Sequence, residues 1–572
     1  MLTTAQKTRL FFVVMGFLMI TCLLWGRLFW LQVLHPDHWL TIARRQHFQM
    51  LELLPVRGDI LDRNGKPLAV SIRLTSVFAN PRHVKDPQRI ARRLAPVLNQ
   101  PVDELLAKLS NKERGFVWLA RRIPNQTASL IRRMRLPGVD LVMEPRRVYP
   151  QGYLASHVIG CTDMDTVGLE GLELAYNQIL RGEPGWRWMA RDARRRSVGA
   201  WEAPAVAPRD GLHLVLTVDS TIQFFAEQEL ERAFEERNAK GGCVVVMDPF
   251  TGEVLALANR PTFDPNLFSK ADADHRRNRA VTDMFEPGSV FKVITAATAL
   301  GKGVVRPTDR FFCENGEFPI PGGHILHDHM PHGWLTFRQV ITNSSNIGTA
   351  KVAMRLGPAS LYQGIKAFGF GMPTGVGLPG EVAGIAKTPM EWSKTSITAI
   401  PMGQEVTVTA MQLAQAISVV ANGGVLMKPY IIKEIRDPSG ALVHSSRPEA
   451  VRRVIPSAVA AELKEILAGV VEEGTGKMAA VPGYRSAGKT GTAQKIEPTG
   501  GYSHSKFMAS FIGFVPVEKP RLTIVVVLDE PRPVYYGGVV AAPVFKKVAA
   551  DTLGYLQVPY QSQHFMMARS DE

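Results

Sequence analysis

Hydrophobic residues form one long run near the start of the chain, from Leu10 to Leu34, with a single charged interruption at Arg27. As a helix, the part before Arg27 is about 26 Å long at about 1.5 Å per residue, close to the hydrocarbon thickness of a bilayer. Arg27 can extend its charge to the headgroups, and Trp30 suits the interface. The alternative of a removed signal peptide lacks a typical small-residue cleavage site. The pattern predicts a cytoplasmic N-terminus over 1–9, a single-pass anchor over 10–34 and everything afterwards outside.

Shorter periodic segments follow the anchor and predict a mixed region over 35–230. Residues 35–50 favour a helix beside the membrane. Two apolar runs flank Asn64-Gly65, a favoured two-residue turn, and predict a β-hairpin. Residues 87–136 have helical periodicity and many arginines, which we expect on solvated faces or in salt bridges rather than in a ligand site.

The pattern after residue 210 places strands at both ends of a second region, over 235–558, with helices between them. Strands are predicted at 212–218, 243–247, 253–258, 510–515 and 522–528, and helices at 220–238 and 543–555. We expect Gly241-Gly242 to end the first of these helices. The arrangement predicts one mixed α/β domain whose sheet is assembled from both ends of the segment, followed by a tail over 559–572.

The first candidate catalytic motif follows Pro287-Gly288, a pair that predicts a turn into a helix. Ser289 and Lys292 are three residues apart, so they share one helix face and can come within hydrogen-bond reach. A serine hydroxyl needs a base to become a nucleophile, and a lysine can be that base when burial and a nearby positive charge lower its pKa. This spacing arises by chance in long chains, so it needs support from other motifs.

Two later motifs supply that support. Ser344 and Asn346 form an S-x-N motif after a helical segment, and Lys489 begins K-T-G on a strand of small residues, which let another backbone approach. S-x-x-K, S-x-N and K-T-G in this order are typical of serine β-lactamases and penicillin-binding proteins. A second Ser-Lys-Thr sequence, at 393–395, lacks the glycine and the strand.

The net charge and the composition limit the classes of binding partner that are expected. A formal net charge of +15 favours anionic partners, and no aromatic-basic module indicates nucleic acid, so we predict a membrane surface and no nucleic acid. The four cysteines contain no C-x-x-C and do not form a disulfide framework. Four histidines at 324, 327, 329 and 332 suggest zinc as an alternative. They lack a second ligand set, and the chemistry needs no metal, so we predict neither metal nor cofactor.

The chain after about residue 10 resembles the class B, monofunctional penicillin-binding proteins, which are peptidoglycan D,D-transpeptidases. Segments similar to the family's N-terminal pedestal are Arg57-Gly58, Asp62-Arg63, Arg147-Val148-Tyr149-Pro150 and Gly168-x-Glu170-Gly171-x-Glu173. Segments similar to its catalytic domain are His332-Gly333-Trp334-Leu335-Thr336, Phe368-Gly369-Phe370-Gly371, Gly377-Leu378-Pro379-Gly380-Glu381 and Tyr536-Gly537-Gly538. One departure is Glu405, where the resemblance leads us to expect a glycine.

The resemblance implies the architecture and the role. It implies a mixed α/β fold in which a β-lactamase-like transpeptidase domain, with a central antiparallel sheet and helices, occupies 235–558. A non-catalytic pedestal of the dimerisation type occupies 35–230. The division (septal) type is favoured over the elongation and sporulation types by Pro67-Leu68-Ala69-Val70-Ser71 after the hairpin and by the lack of a C-terminal repeat module.

The resemblance also implies residue roles for acylation. Ser289 attacks the carbonyl of a D-Ala-D-Ala stem peptide, and D-alanine leaves from the resulting acyl-enzyme. Lys292 is the expected base, kept neutral with help from the nearby charge of Lys489. Ser344 relays a proton to the leaving amine, and Asn346 holds the substrate amide and orients Lys292.

Substrate binding is expected at the K-T-G strand. The hydroxyls of Thr490 and Thr492, on either side of Gly491, bind the terminal carboxylate with electrostatic help from Lys489. The backbone N–H groups of Ser289 and Thr492 form the oxyanion hole. The resemblance implies no cofactor and no metal.

The expected partners are stem peptides and their lipid-linked precursor, covalently bound β-lactams, the membrane, a polytopic glycosyltransferase and other division proteins. The expected location is the inner (cytoplasmic) membrane, with the catalytic domain outside. Three alternatives stay open: an elongation-type transpeptidase, a D,D-carboxypeptidase or β-lactamase-like hydrolase, and a non-catalytic division scaffold.

Overall fold

The computed structural model describes residues 3–35, 48–190, 205–320, 324–497 and 500–560. They fall into two compact units, one comprising Met1–Val56 and Gly182–Asp210, the other Arg57–Arg181 and Gly211–Glu572. The predicted domain boundary at 230–235 does not coincide with this division and stays a prediction.

The strands are β1 Phe48–Leu53, β2 Ile60–Leu61, β3 Pro67–Ala79, β4 Val117–Ile123, β5 Val139–Val148, β6 Gly185–Ala190, β7 Ala205–Val206, β8 His213–Leu216, β9 Gly241–Met247, β10 Val254–Arg260, β11 Arg310–Phe312, β12 Glu317–Ile320, β13 His324–His327, β14 Trp334–Thr336, β15 Ile385–Ala386, β16 Val406–Thr407, β17 Val425–Met427, β18 Ile432–Arg436, β19 Leu442–Ser445, β20 Ala450–Arg453, β21 Ala487–Ile496, β22 Tyr502–Val515 and β23 Leu522–Asp529.

The α-helices are α1 Thr4–Phe29, α2 Pro87–Leu98, α3 Val102–Ser110, α4 Asn125–Met134, α5 Ser156–Ile159, α6 Gly171–Ala175, α7 Asn177–Arg181, α8 Ser220–Glu236, α9 Ala273–Arg276, α10 Arg279–Thr282, α11 Lys292–Gly301, α12 Phe337–Thr342, α13 Asn346–Leu356, α14 Pro358–Ala367, α15 Ser396–Ala399, α16 Ala410–Ala421, α17 Ser457–Glu472, α18 Gly537–Val540 and α19 Ala542–Tyr555.

The first unit contains the apolar helix and a small sheet. Helix α1 continues as a π-helical turn, Trp30–Leu34, and together they are long and apolar enough to cross a membrane. The Arg27 guanidinium lies 4.5 Å from the centre of the Trp30 ring. Strands β1, β6 and β7 form an antiparallel sheet. The predicted helix over 35–50 lies mostly outside the described residues, and it is wrong at 48–50, because these residues begin β1.

The second unit begins with the predicted hairpin, which the structure confirms, since β2 and β3 pair as antiparallel strands. The long β3 also pairs with β4 and β5. Helices α2 to α4 cover this sheet around a core that includes Val77, Leu94 and Ile131. We call β3 to β5, residues 67–148, the head. The prediction of helix throughout 87–136 is wrong at β4, where burial of Val117 and Leu119 on either side of a less buried residue follows the two-residue period of a strand.

The hairpin shares a sheet with strands from later in the chain. Strand β2 lies parallel to β8, and β8 pairs with β18. Next to this junction, the buried Asp62 carboxylate accepts hydrogen bonds from the Ser220 hydroxyl and backbone N–H. The start of the second unit is therefore joined to its later part by a continuous sheet and by buried polar contacts.

The central sheet has the order β10-β9-β23-β22-β21 and is antiparallel throughout. The prediction that strands from both ends of the segment form one sheet is confirmed. Alternate residues of β9 face different cores: Val244 and Val246 pack in the cluster that contains α8 and α19, and Val245 packs in the cluster that contains α16. Gly241-Gly242 does not end α8 as predicted, because both glycines belong to β9, where Gly242 leaves room for the approach of Val527.

Candidate active site

Ser289 lies at the junction between a 3₁₀ turn and a buried helix. The turn is Gly288–Phe291, and α11 begins at Lys292. Gly288 has a φ of +59°, which favours glycine, and it starts the turn against the backbone of Thr492. Ser289 is partly exposed whereas Lys292 is fully buried. Within the described residues, the Ser289 hydroxyl has no hydrogen-bond partner, so the predicted reach between the two side chains is not realised as a hydrogen bond.

Lys292 instead contacts the S-x-N motif. Its Nζ donates to the Ser344 carbonyl oxygen at 2.5 Å and to Asn346 Oδ1 at 2.7 Å, and it lies 3.2 Å from Ser344 Oγ. Asn346 Nδ2 donates to the His327 carbonyl oxygen, which fixes the amide so that its oxygen faces the lysine. The structure therefore brings together the first two motifs.

Lys489 completes the cluster from the central sheet. This lysine is fully buried on β21, and its Nζ lies 2.9 Å from Ser344 Oγ and 3.1 Å from the Thr490 carbonyl oxygen. The Ser344 hydroxyl is thus within hydrogen-bond distance of both lysine amines. Lys489 thus contacts the hydroxyl oxygen of a residue that lies 145 positions earlier in the chain, Ser344.

Burial lowers the pKa of both lysine amines. Burial lowers the pKa of Lys292 to about 7, against the opposing effect of the Asp328 carboxylate. Burial lowers the pKa of Lys489 well below its ordinary value, and the positive charge of Lys292 lowers it further. Because two buried ammonium groups that share a hydroxyl repel each other, the site disfavours the state in which both amines are charged.

Asp328 is a site residue that the sequence analysis missed. Its carboxylate accepts from the backbone N–H groups of Asn346, at 2.5 Å, and Ile347, at 2.9 Å, and from Ser345 Oγ at 2.6 Å. It holds the turn in which Ser344 has a φ of +60°, an unusual value for a serine. The available signal was an aspartate within the histidine-rich stretch, which was considered only for zinc.

The two threonines of Lys489-Thr490-Gly491-Thr492 have different partners. Thr490 Oγ1 lies 2.8 Å from Thr475 Oγ1, whereas Thr492 Oγ1 accepts from the backbone N–H of Gly537 at 3.1 Å. The Thr492 hydroxyl hydrogen therefore remains able to donate to a ligand. Thr475 was missed by the sequence analysis, and Gly537 was noted there only as part of a resemblance.

Gly491 allows the K-T-G strand to pack closely. A Cβ atom at this position would lie 2.3 Å from Ser510 Oγ, 2.9 Å from Val290 Cγ1 and 3.0 Å from the Pro287 carbonyl oxygen. The absence of a side chain therefore lets β21 approach both its neighbouring strand and the turn that carries Ser289.

The departure at Glu405 lies beside the same turn. Glu405 has a φ of +57°, the region where a glycine is usual, and its backbone N–H donates to Glu286 Oε1 at 2.8 Å. Its carboxylate accepts a short hydrogen bond from Ser396 Oγ. Tyr502 OH also lies 3.3 Å from Glu286 Oε1. The side chain of Glu405 thus has a structural partner that a glycine would lack.

The histidines of the suggested zinc cluster lie in different surroundings and contact different residues. His324 and His327 lie at the ends of β13, and His329 packs edge-on against the Tyr536 ring. In the part of the chain that the structure describes, no three His, Cys, Asp or Glu side chains are grouped as metal ligands.

The pedestal motifs meet around the fully buried Glu173. Arg57 Nε donates to one carboxylate oxygen and Arg147 Nε to the other, each at 2.6 Å, and Tyr149 OH lies 3.3 Å from the second oxygen. Glu170 instead pairs with Arg276. Arg57 and the two glutamates therefore have structural partners that join segments far apart in the chain.

The fold and site together define a class of serine acyltransferases in which a helix-borne S-x-x-K, an S-x-N turn and a K-T-G strand converge. The penicillin binding protein transpeptidase domain family matches residues 242–550, and the penicillin-binding protein dimerisation domain family matches residues 52–216.

Comparisons with individual proteins give the same family. The chain is 37% identical over 510 residues to the probable peptidoglycan D,D-transpeptidase PenA of Neisseria meningitidis, with 88% of this chain and 85% of that protein covered. It is 36% identical over 563 residues to the stage V sporulation protein D of Bacillus subtilis, with 96% and 86% covered. The crystal structure of penicillin-binding protein 3 of Mycobacterium tuberculosis, complexed with aztreonam, is similar with a TM-score of 0.71 and 31% identity, covering 89% of this chain and 98% of that chain. The chain belongs to the class B penicillin-binding proteins.

Proposed function

We propose that this protein cross-links the stem peptides of peptidoglycan during septal wall synthesis, through an acyl-enzyme on Ser289. The observation that carries the proposal is the meeting of Lys292 and Lys489 at Ser344 Oγ, close to the helix that presents Ser289. Burial lowers the pKa of Lys292 to about 7, so this amine can accept and return a proton near neutral pH, and burial lowers the pKa of Lys489 as well.

In the acylation step, Ser289 Oγ attacks the carbonyl carbon of the penultimate D-alanine and loses its proton to neutral Lys292. The C–N bond to the terminal D-alanine then breaks, and the leaving amine takes up a proton through the Ser344 hydroxyl. Asn346 fixes Lys292 through its 2.7 Å contact. The 3.2 Å and 2.9 Å contacts at Ser344 Oγ supply the proton path.

The K-T-G strand binds the terminal carboxylate. The free hydroxyl hydrogen of Thr492 and the hydroxyl of Thr490 donate to it, while Gly491 keeps the strand close to the nucleophile. An approaching carboxylate favours the charged form of Lys489, because an opposite charge raises the pKa of a buried amine. Substrate binding therefore protonates one lysine while the other stays the base.

The oxyanion is held by backbone N–H groups of Ser289 and Thr492. Ser289 belongs to the first turn of its helix, where N–H groups lack intrahelical partners. One such donor contributes about 2.7–4 kcal/mol to transition-state stabilisation. In the second step an amine of another stem peptide attacks the ester carbonyl and loses a proton to the lysine base. The bond between the acyl carbon and Ser289 Oγ then breaks, and the same proton returns to Ser289 Oγ.

The apolar helix supports a single-pass location in the inner membrane, with the catalytic domain outside. The donor is then a stem peptide made from a lipid-linked precursor, and the natural partners are a polytopic glycosyltransferase and other division proteins. The proposed division of the chain is a pedestal over 35–230 and a transpeptidase domain over 235–558.

The proposed anchor can be tested by removing it. A chain that begins near residue 40 should leave the membrane without detergent. A continued need for detergent would contradict an anchor confined to 10–34.

The catalytic proposal is tested with a fluorescent penicillin on the full-length protein in detergent. The wild type should form a stable covalent adduct, and Ser289→Ala should form none. Ser393→Ala, in the Ser-Lys-Thr sequence outside the site, is the matched control and should label normally. An adduct that decays within seconds would favour a hydrolase. No adduct on folded wild type would favour a non-catalytic scaffold.

The septal role rests on the resemblance of Pro67–Ser71 to division-type relatives and has its own test. Depletion of the protein should give filamentous cells that label new wall everywhere except at division sites. Rounded cells would indicate an elongation role. Normal growth with failed spores would indicate a role in sporulation, the second candidate, which the similarity to the Bacillus subtilis protein favours.

A further inference from the structure

The head carries most of the net positive charge of this protein. Residues 67–148 contain 16 Lys and Arg against six Asp and Glu, a net charge of +10 out of +15 for the whole chain. Some of these cations have structural roles. Arg121 pairs with Glu144, and Lys112 donates to the carbonyl oxygens of Pro81 and Val84. Others make no ion pair or side-chain hydrogen bond within the described residues, and four of these lie together around one cavity.

A cavity of about 250 Å³ lies where the start of α2 meets the loop after α4. Its cationic lining consists of Lys85, Arg89, Arg93 and Arg135. All four side chains are exposed, and none makes an ion pair or a side-chain hydrogen bond to any residue in the described ranges. Four like charges around one cavity repel each other, so this arrangement costs stability unless an anion is bound.

The cavity is a formed feature of the fold. The backbone N–H of Asn80 donates to the Gly138 carbonyl oxygen at 2.8 Å, which joins the two segments that line the cavity. Gly138 packs against Val84, where a Cβ would lie 2.8 Å from Val84 Cγ2. The one acid in the lining, Asp86, accepts from the backbone N–H of Arg89 as the cap of α2.

We propose that this basic cavity, lined by Lys85, Arg89, Arg93 and Arg135, binds an acidic polypeptide segment of a partner protein. Arginine binds carboxylates through two parallel N–H groups, and three of the four cations are arginines. The apolar side chains of Ile90, Leu136 and Pro137 complete the lining. A glutamate side chain, with an apolar stem and a charged tip, matches such a surface.

Two other anionic surfaces fit less well. A polyphosphate chain is charged along its whole length and would bring charge against Asp86, whereas a peptide can place its carboxylates away from it. The headgroups of a bilayer are held in one plane, so they match a cavity less well than a polypeptide segment that can enter it. The observations therefore favour separate carboxylates on a polypeptide.

The experiment uses the full-length protein in detergent and a fluorescein-labelled deca-glutamate peptide, with binding followed by fluorescence anisotropy. The test variant is Arg89→Glu with Arg93→Glu. The matched control is Arg92→Glu with Arg132→Glu, which changes the net charge equally at two exposed arginines outside the cavity that have no ion-pair partner among the described residues. We expect about a tenfold or greater loss of affinity in the test variant and less than about a threefold loss in the control, because screened long-range attraction depends little on position.

Each other outcome overturns the proposal. Equal losses of affinity in both variants would mean that the peptide is attracted by the net charge alone. Tighter binding of inorganic polyphosphate, or of nanodiscs containing phosphatidylglycerol, through the same two arginines would replace the acidic polypeptide by a phosphate-bearing partner. An unmeasurable affinity of the wild type for the peptide would remove the site. Penicillin labelling should be unchanged in both variants, which shows that a loss of binding does not come from misfolding.

Discussion

Lys292 and Lys489 approach the same hydroxyl, with their Nζ atoms 3.2 Å and 2.9 Å from Ser344 Oγ. Both amines are fully buried, so neither has water to stabilise its charge. This shared contact links the three motifs and makes the protonation of the site depend on pH near neutrality.

The rate of penicillin acylation should follow the protonation of Lys292. Because burial lowers the pKa of Lys292 to about 7, the neutral base is present above that pH and absent below it. We expect the second-order acylation rate to rise with pH around a midpoint near 7 and to level above about 8. Stopped-flow labelling between pH 5.5 and 9 measures it.

His329 is the control for this profile, because its imidazole packs edge-on against the Tyr536 ring near the site. His329→Gln should keep the midpoint, and Lys292→Met should remove acylation at every pH. A midpoint that disappears in His329→Gln would assign the profile to the histidine.

Asp328→Asn should both slow acylation and move its midpoint to lower pH. The slower rate follows from the loss of the carboxylate that holds the Ser344–Asn346 turn, with an expected cost of about tenfold to a hundredfold. The lower midpoint follows because the negative charge of Asp328 raises the pKa of Lys292. The same pH series measures both effects.

Asp437→Asn is a matched control. Asp437 accepts from the N–H groups of Ser439 and Ala441 and from the Ser439 hydroxyl, in an exposed turn. It should leave both rate and midpoint unchanged. A slower Asp328→Asn with an unshifted midpoint would show that the carboxylate only shapes the turn.

Gly491→Ala should reduce acylation by about a hundredfold, because the new Cβ would displace β21 from the turn that carries Ser289, and displacements of about 1 Å have costs of this size. The steric basis is the predicted 2.3 Å approach of that atom to Ser510 Oγ. Gly115→Ala, with no heavy atom within 4 Å of its Cβ, should label at the wild-type rate. Wild-type kinetics in Gly491→Ala would mean that the sheet can adjust.

Glu173→Gln should destabilise the protein strongly. It removes the negative charge between two buried guanidinium groups, those of Arg57 and Arg147, and breaking a buried ion pair in this way costs about 3–5 kcal/mol. Urea-induced unfolding of the detergent-solubilised protein measures the change. Glu104→Gln, which breaks the exposed pair with Lys108, should cost less than about 1 kcal/mol. Similar losses in the two variants would contradict a structural role for Glu173.

Local patterns in the sequence were sufficient for several elements and for the motif residues. The Asn64-Gly65 turn predicted its hairpin, and the apolar run predicted a helix, because turn chemistry and hydrophobic length are local properties. They failed at β4, because residues 117–123 lie between helices and their two-residue period is too short to outweigh the surrounding helical pattern.

The order of S-x-x-K, S-x-N and K-T-G along the chain by itself determined the candidate nucleophile, base and carboxylate-binding residues. Only the tertiary structure decided that Ser344 Oγ lies between two lysines and that Asp328 holds its turn. It also decided that four cations without a partner among the described residues line one cavity in the head. These features depend on contacts between residues far apart in the chain. Such contacts, and the burial that lowers the pKa values of the lysines, follow from the packing of the whole fold and leave no local pattern.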